Sequence, residues 1–239
     1  MLEKYAENLW TCDTEQRLGL GLRLPARMTV LRLPDGTLAL VSPIPISDSL
    51  SAELSALGPV SALIAPNAFH HLHLPAAARR YPEARVLGAP GVARKQPSLR
   101  CEPLEPQTLE TIAALRDVLA ARLIEGAPKM SEVALFHAPS RTLLLTDLVF
   151  NIVSPPNFVT GLLLACTGIK GKLAQSRALN WLIRDRAAAE RSTAALFMWP
   201  FERLVMAHGQ VLGEDANALL RAALQPTLKS AARELCAPP

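Results

Sequence analysis

The chain has 239 residues, half of them hydrophobic, which is enough to bury a core of its own. Its 25 Lys and Arg against 21 Asp and Glu leave a formal charge of +4 without a dense cationic tail, so nucleic acid is not an expected partner. Cys12, Cys101, Cys166 and Cys236 are scattered and form no CxxC pair; this speaks against a zinc knuckle or a redox dithiol and fits a reducing, cytoplasmic setting.

The opening MLEKYAENLWTCDTE has no long apolar core, so a secretory leader is not expected. MTVLRL, PDG and LALVSPI then predict a β-hairpin in which Asp35-Gly36 supplies the left-handed turn positions. Pro43 and Pro45 end the pairing because neither has an amide hydrogen. SLSAELSALG predicts a short helix closed by Gly58, and VSALIAP a compact strand followed directly by PNAFHHLH at 66–73. LPAAARRYPEA predicts another short helix, and ARVLGAPG a strand and turn. In ETIAALRDVLAARLIEG, the spacing of Ile112, Leu115, Leu119 and Leu123 predicts one buried helical face that stops at Gly126.

SEVALFHA and TLLLTDLVF predict strands joined by the turn PSR, with the His137 imidazole bonded to that turn. FVTGLLLACTG is too short to span a bilayer, and no membrane partner is expected. Its leucines are expected to pack in the core or line a pocket, with subunit pairing in a homo-oligomer as the other role. The most basic stretch, 170–191, carries Lys170, Lys172, Arg177, Arg184, Arg186 and Arg191; it reads as a solvated helix face before an anion- or membrane-binding patch. ALNWLIRDRAAAERSTAAL predicts one helix, ERLVMAHG a strand that delivers His208, and Asp215–Cys236 a last helix interrupted at Pro226. Strands interleaved with helices predict a layered α/β fold, a single domain over 1–239.

Polar groups stand directly after three apolar strands: His70, His71 and His73 after VSALIA, Asp147 after TLLLT, and His208 after RLVMA. If these strand ends meet at one sheet edge, imidazoles and a carboxylate form a set suited to zinc, manganese or iron. Within the cluster, an extended backbone would align His71 with His73, whereas a helix would align His70 with His73; the spacing leaves both open. Each group also has an ordinary structural role, in capping, solvation or the acceptance of amide hydrogen bonds.

Five stretches together resemble the metallo-β-lactamase fold, and more closely a family of uncharacterised domains related to it. They are RMTVLRLPDGTLALVSPIPI at 27–46, VSALIAPNAFHHLHL at 60–74, YPEARVLGAPG at 81–91, PSRTLLLTDLVFN at 139–151 and MAHG at 206–209, in the expected order. The resemblance implies a four-layer αββα sandwich with metal ligands on loops at one edge. Asp147 matches the aspartate of that pattern and His208 its last histidine. The THxHxDH segment is broken: with His71 at its final histidine, His70 takes the aspartate position and Ala68 falls where an imidazole belongs. Ala127, Pro128 and Lys129 occupy the place of the middle histidine.

Two functions follow from this altered pattern. One is a hydrolase-like protein that holds one zinc, manganese or iron ion with a set drawn from His70, His71, His73, Asp147 and His208, and acts on a small molecule. The other is a metal-free binding protein that keeps the fold. In either case His71, Asp147 and His208 are the expected reactive groups, with His71 or His208 as a general base oriented by Asp147.

Overall fold

A computed structural model describes residues 1–228. Two strands precede the expected hairpin: β1 (Glu3–Ala6) pairs with β2 (Leu9–Gly19), which runs antiparallel to β3 (Leu22–Arg32) over its whole length. The outer halves of β2 and β3 overhang the core and carry exposed polar side chains such as Glu15, Arg17 and Arg23, while the alternating Leu18, Leu20, Leu22 and Leu24 run through the turn that joins the two strands. β3 and β4 (Leu38–Val41) form the expected hairpin, with Gly36 at φ 83° and the Asp35 carboxylate accepting from the Thr37 amide at 2.9 Å.

From β4 onward the first sheet grows in parallel. β5 (Val60–Ala65), β6 (Arg85–Gly88) and β7 (Cys101–Pro103) complete the order β1-β2-β3-β4-β5-β6-β7. Parallel neighbours need crossovers, and these are α1 (Asp48–Leu57), α2 (Leu74–Arg80) and α3 (Val92–Lys95). The Ser47 hydroxyl caps α1 by accepting from the Leu50 amide at 3.2 Å.

The long helix expected before Gly126 does not form. The segment instead gives α4 (Pro106–Thr111), α5 (Ala113–Arg116) and a strand, β8 (Leu119–Leu123). Ile112 takes extended dihedrals between the two short helices, and pairing of Leu119–Leu123 with β9 (Val133–His137) satisfies the backbone that a helix would have satisfied internally. Leu119 and Ala121 enter the first core while Ala120 between them packs against the second, the alternation of a strand, in a segment whose leucines at 115, 119 and 123 also carry a four-residue spacing.

β10 (Thr142–Leu145) and β11 (Arg203–Met206) complete a second sheet in the order β11-β10-β9-β8, parallel only between β10 and β11. Alternate residues of this sheet enter different layers, as the two-residue period of a strand requires. Val133, Leu135, Leu144 and Val205 join the core with Leu40, Leu63 and Ile64 of the first sheet. Ala134, Phe136, Leu143, Leu204 and Met206 face the other way, into a second core that contains Leu179, Leu196 and Leu220. These three leucines come from α7 (Leu179–Leu182), the 3-10 turn Ala195–Met198 and α9 (Ala216–Ala223). Full burial of each such leucine stabilises by about 1.5–3 kcal/mol. Two mixed sheets lie between flanking helices, the expected sandwich.

Two helical expectations are corrected. α6 (Phe158–Thr167) forms over the apolar run, but only Thr160, Gly161 and Leu164 are buried; Phe158, Val159, Leu162 and Leu163 face outward rather than into the core, Phe158 and Leu162 lining an open surface pocket beside Lys170. The helix expected over 178–196 is split into α7 and α8 (Arg186–Ala194) because the Arg184 and Asp185 amides donate to the Gly126 carbonyl and the Asp185 carboxylate caps α8 through the Ala188 amide at 2.9 Å. The last helix is interrupted at Pro226 as expected, α9 giving way to a second segment, α10 (Gln225–Leu228), while residues 229–236 lie outside the described residues.

His137 is bonded to the PSR turn as expected: its Nδ1 meets the Ser140 hydroxyl at 2.6 Å, and its Nε2 is buried without a partner. Burial pushes its pKa down to about 4, below the unfolded value of about 6.5. The folded state therefore binds fewer protons than the unfolded chain between these values, so stability is retained above pH 6.5 and lost as the pH falls toward 4. Unfolding in urea at pH 7 and pH 4.5 is expected to show a loss of about 2–3 kcal/mol from this residue. In His137→Gln that part of the pH dependence should vanish; an unchanged difference would assign the effect elsewhere.

Candidate metal centre

The carboxyl ends of parallel strands point to one rim, where backbone amides and loops are free to present side chains. β4 ends at Ser42, β5 leads to Asn67 and His70, β10 to Thr146 and Asp147, and β11 to His208. Each sheet thus contributes two strand ends, and the site is closed only by their packing.

His70, Asp147 and His208 offer one donor atom each, all within 4.8 Å of one another. His70 Nε2 lies 3.4 Å from Asp147 Oδ2, and His208 Nε2 lies 3.1 Å from Asp147 Oδ1. A tetrahedral ion with bonds of about 2.0–2.1 Å has neighbouring donors about 3.4 Å apart, so these separations suit a divalent metal. The tautomers suit it too. His208 Nδ1 donates to the Pro25 carbonyl at 2.7 Å, which leaves Nε2 to carry the lone pair toward Asp147. His70 Nδ1 is held by the Ser42 hydroxyl, so its Nε2 also faces the cluster. The His208 ring is further fixed by stacking on Phe150, with centroids 5.3 Å apart.

Charge is concentrated on Asp147. Burial alone would raise its pKa, but the His70 and His208 imidazoles outweigh this and hold the carboxyl well below the usual range. For His208, burial favours the neutral ring, yet the hydrogen bond and charge of Asp147 raise its pKa. A cation is therefore already favoured between the two groups, whether as a proton or as a metal ion.

Four supporting residues have no signature in the histidine pattern. Glu132 is fully buried, and its carboxylate oxygens accept from the Thr146 amide at 2.8 Å and the Asp147 amide at 2.7 Å, fixing the loop that presents Asp147. Burial and the charge of Asp147 raise the Glu132 pKa. Asn67, also fully buried, donates to Thr146 Oγ1 at 2.9 Å and to Asp147 Oδ2 at 2.6 Å, while its own Oδ1 accepts from the His70 amide at 2.9 Å. Arg27 makes a two-pronged pair with Asp13 at 2.7 and 2.6 Å and donates to the carbonyls of Met206 and Gly209, clamping the turn on both sides of His208. Ser42 holds His70 from a left-handed backbone, φ 56°, a conformation that costs a non-glycine residue about 1–2 kcal/mol. The one signal in the sequence is Glu132, an acid at the head of an all-apolar strand; the others are ordinary residues in ordinary contexts.

His71 and His73 lie outside the three-residue cluster. His71 Nδ1 accepts from Gln96 Nε2 at 2.8 Å, a bond that places the ring proton on Nε2. His73 donates from Nε2 to Gln16 Oε1 at 2.8 Å. Burial lowers the pKa of both, assisted by Lys95 and His70 for His71 and by His70 for His73. The short helical turn at 70–73 separates the three rings, so neither alignment considered from spacing alone brings a pair together at the cluster.

All three rings border a cavity of about 410 Å³ that also exposes Asp147 and His208, with walls from Leu18, Leu24, Ile44, Phe69 and Leu72. No lysine or arginine lines it.

Comparison with solved structures decides the architecture. The metallo-β-lactamase from Pontibacter korlensis superposes with a TM-score of 0.62 at 14% identity, over 96% of this chain and 98% of that one. The chain has the metallo-β-lactamase fold. The metallo-β-lactamase from Erythrobacter litoralis shares it at 16% identity and a TM-score of 0.59, over 97% and 92% of the two chains. So does a metal-soaked flavodiiron core from Synechocystis sp. PCC6803, at 12% identity and a TM-score of 0.66, over 96% of this chain and 60% of that one. A family model described as a domain of unknown function (DUF4336) matches residues 6–93. No curated protein matches the chain. Within this metallo-β-lactamase fold, the described residues bring together a single incomplete ligand cluster of two histidines and one aspartate.

The hydrogen bond between Ser42 and His70 gives a direct check on the cluster. Ser42→Ala should leave the fold intact and weaken metal binding by about 10–100-fold, the usual effect of losing a group that orients a ligand histidine. Titration with zinc under a competing chelator measures it; unchanged affinity would remove Ser42 from the site.

Proposed function

We propose that the protein is a hydrolase-like enzyme that holds one zinc, manganese or iron ion on His70, Asp147 and His208. The observation that carries this reading is the pair of ring orientations: Pro25 and Ser42 engage both Nδ1 atoms and leave both Nε2 atoms facing one carboxylate. Two histidines and one carboxylate leave coordination positions open for water and substrate. When bound, such an ion polarises a carbonyl or phosphoryl oxygen and lowers the pKa of its water.

The chain's own residues supply the rest. Glu132 and Asn67 hold Asp147 in place, and Arg27 fixes the turn of His208. The leucine and phenylalanine walls favour a small substrate with an apolar body. His71, on the cavity wall and free of the ligand set, is the group assigned to proton transfer; its lowered pKa keeps it neutral near pH 7, and it accepts a proton at Nδ1 in exchange for the Gln96 hydrogen bond. Nucleic acid has no part in this reading.

The alternative, a metal-free binding protein, is supported by the Asn67 amide, which already occupies Asp147 Oδ2 at 2.6 Å. Elemental analysis of protein purified without chelator separates the two. About one equivalent of a single divalent metal per chain supports the enzyme reading; substoichiometric zinc, manganese and iron together would leave the binding protein.

A further inference from the structure

The α6 helix presents an apolar face that no described residue covers. Phe158 is 85% exposed and Leu162 57%, with Val159 and Leu163 beside them. The tip of the β2–β3 ribbon joins this face: Asn157 donates to the Gly21 carbonyl at 2.8 Å, and Thr160 bonds both backbone groups of Arg23. That tip reads Leu18-Gly19-Leu20-Gly21, with Leu18 48% exposed and Leu20 wholly so. Two separate elements therefore raise apolar side chains on one side of the molecule, and Leu18 also borders the cavity mouth.

The charge around the helix selects the occupant. Residues 148–184 contain no Asp or Glu and four cations, Lys170, Lys172, Arg177 and Arg184. The Lys170 ammonium lies beside Gly161 of α6 and the Arg177 guanidinium beside Gly168 at its end. A second copy docked face to face would bring two such acid-free cationic sets together. An anionic bilayer would instead receive the leucines and phenylalanine in its interfacial layer and its headgroups against the lysines and arginines.

We propose that α6 and the tip of the β2–β3 ribbon form a docking surface for an anionic lipid bilayer, which the protein touches without crossing. Among the described residues no helix is long and apolar enough to span one, so the contact is peripheral. The expectation of no membrane partner rested on the length of this run; its outward exposure carries the opposite reading. Lys170 and Arg177, beside α6, then serve as the headgroup-facing rim, and the cavity mouth lies next to the bilayer, where apolar small molecules concentrate. This surface is independent of whether the cluster binds metal.

Co-sedimentation of the full chain with vesicles tests it, using phosphatidylcholine alone and phosphatidylcholine with about one third phosphatidylserine. Binding to the anionic vesicles is expected to be at least tenfold stronger and to weaken in high salt. The double variant Leu20→Asp with Leu162→Asp should cut it by at least tenfold, with the far-ultraviolet spectrum unchanged since both side chains are exposed; Lys170→Glu with Lys172→Glu should remove the preference for anionic lipid. Failure to bind either vesicle, or binding indifferent to both double variants, would overturn the proposal. So would a vesicle-free dimer in sedimentation velocity that the leucine variant splits, since a second copy would then be the occupant.

Discussion

Asp147→Ala is expected to empty the metal centre. Its carboxylate touches both Nε2 atoms, so its loss removes one donor and the charge that keeps the other two together. Affinity should fall by more than about 100-fold, beyond the effect of losing a group that only orients a ligand, and metal content after dialysis should drop to background. Asp147→Asn separates charge from shape: it retains the Asn67 contact region but supplies a neutral donor, and should bind metal weakly while folding normally. Retention of a full equivalent by Asp147→Ala would place the ion elsewhere and end the proposed centre.

Glu132→Ala carries the second large effect, in stability and in metal binding at once. It leaves the Thr146 and Asp147 amides buried and without acceptors, at a cost of about 1–3 kcal/mol for each. The lost volume in a fully buried position adds to this. Glu132→Gln keeps the volume but turns a donor toward one amide, so it should lie between the wild type and alanine in urea unfolding. Both variants should weaken metal binding because the loop that aims Asp147 is released, an effect of about 10–100-fold. Wild-type stability for Glu132→Ala would mean that water satisfies the loop and that Glu132 has no positioning role.

The fold was legible where local pattern and tertiary role agree. Asp35-Gly36 makes its turn, VSALIA and TLLLT are buried strands, and RLVMA delivers His208 to the rim. It was not legible where a segment's partner lies far along the chain. Leu119–Leu123 carries a helical spacing but pairs with β9, and in the overhanging ribbon of β2 and β3 the leucine alternation at 18, 20, 22 and 24 runs across a turn instead of along one strand. At the site, strand-end position singled out Asp147 and His208, but the choice among His70, His71 and His73 depended on which ring Ser42 and Gln96 capture. Asn67 and Arg27 could not be read at all, since nothing about an asparagine or an arginine in sequence reports a partner about 80 or 180 positions away. The exposure of α6 stayed one of two readings for the converse reason: a run of leucines reads as interior whether or not anything lies across it.

The bond from His208 to the Pro25 carbonyl joins residues 183 positions apart, and Arg27 reaches Met206 across 179. During synthesis the first sheet can leave the ribosome long before the groups that finish its rim exist. Until β11 docks beside β10, Asp147 has a histidine on one side only. Truncated products that stop short of it would carry most of the sandwich but no complete cluster, because the centre is closed by an edge strand rather than by a local loop.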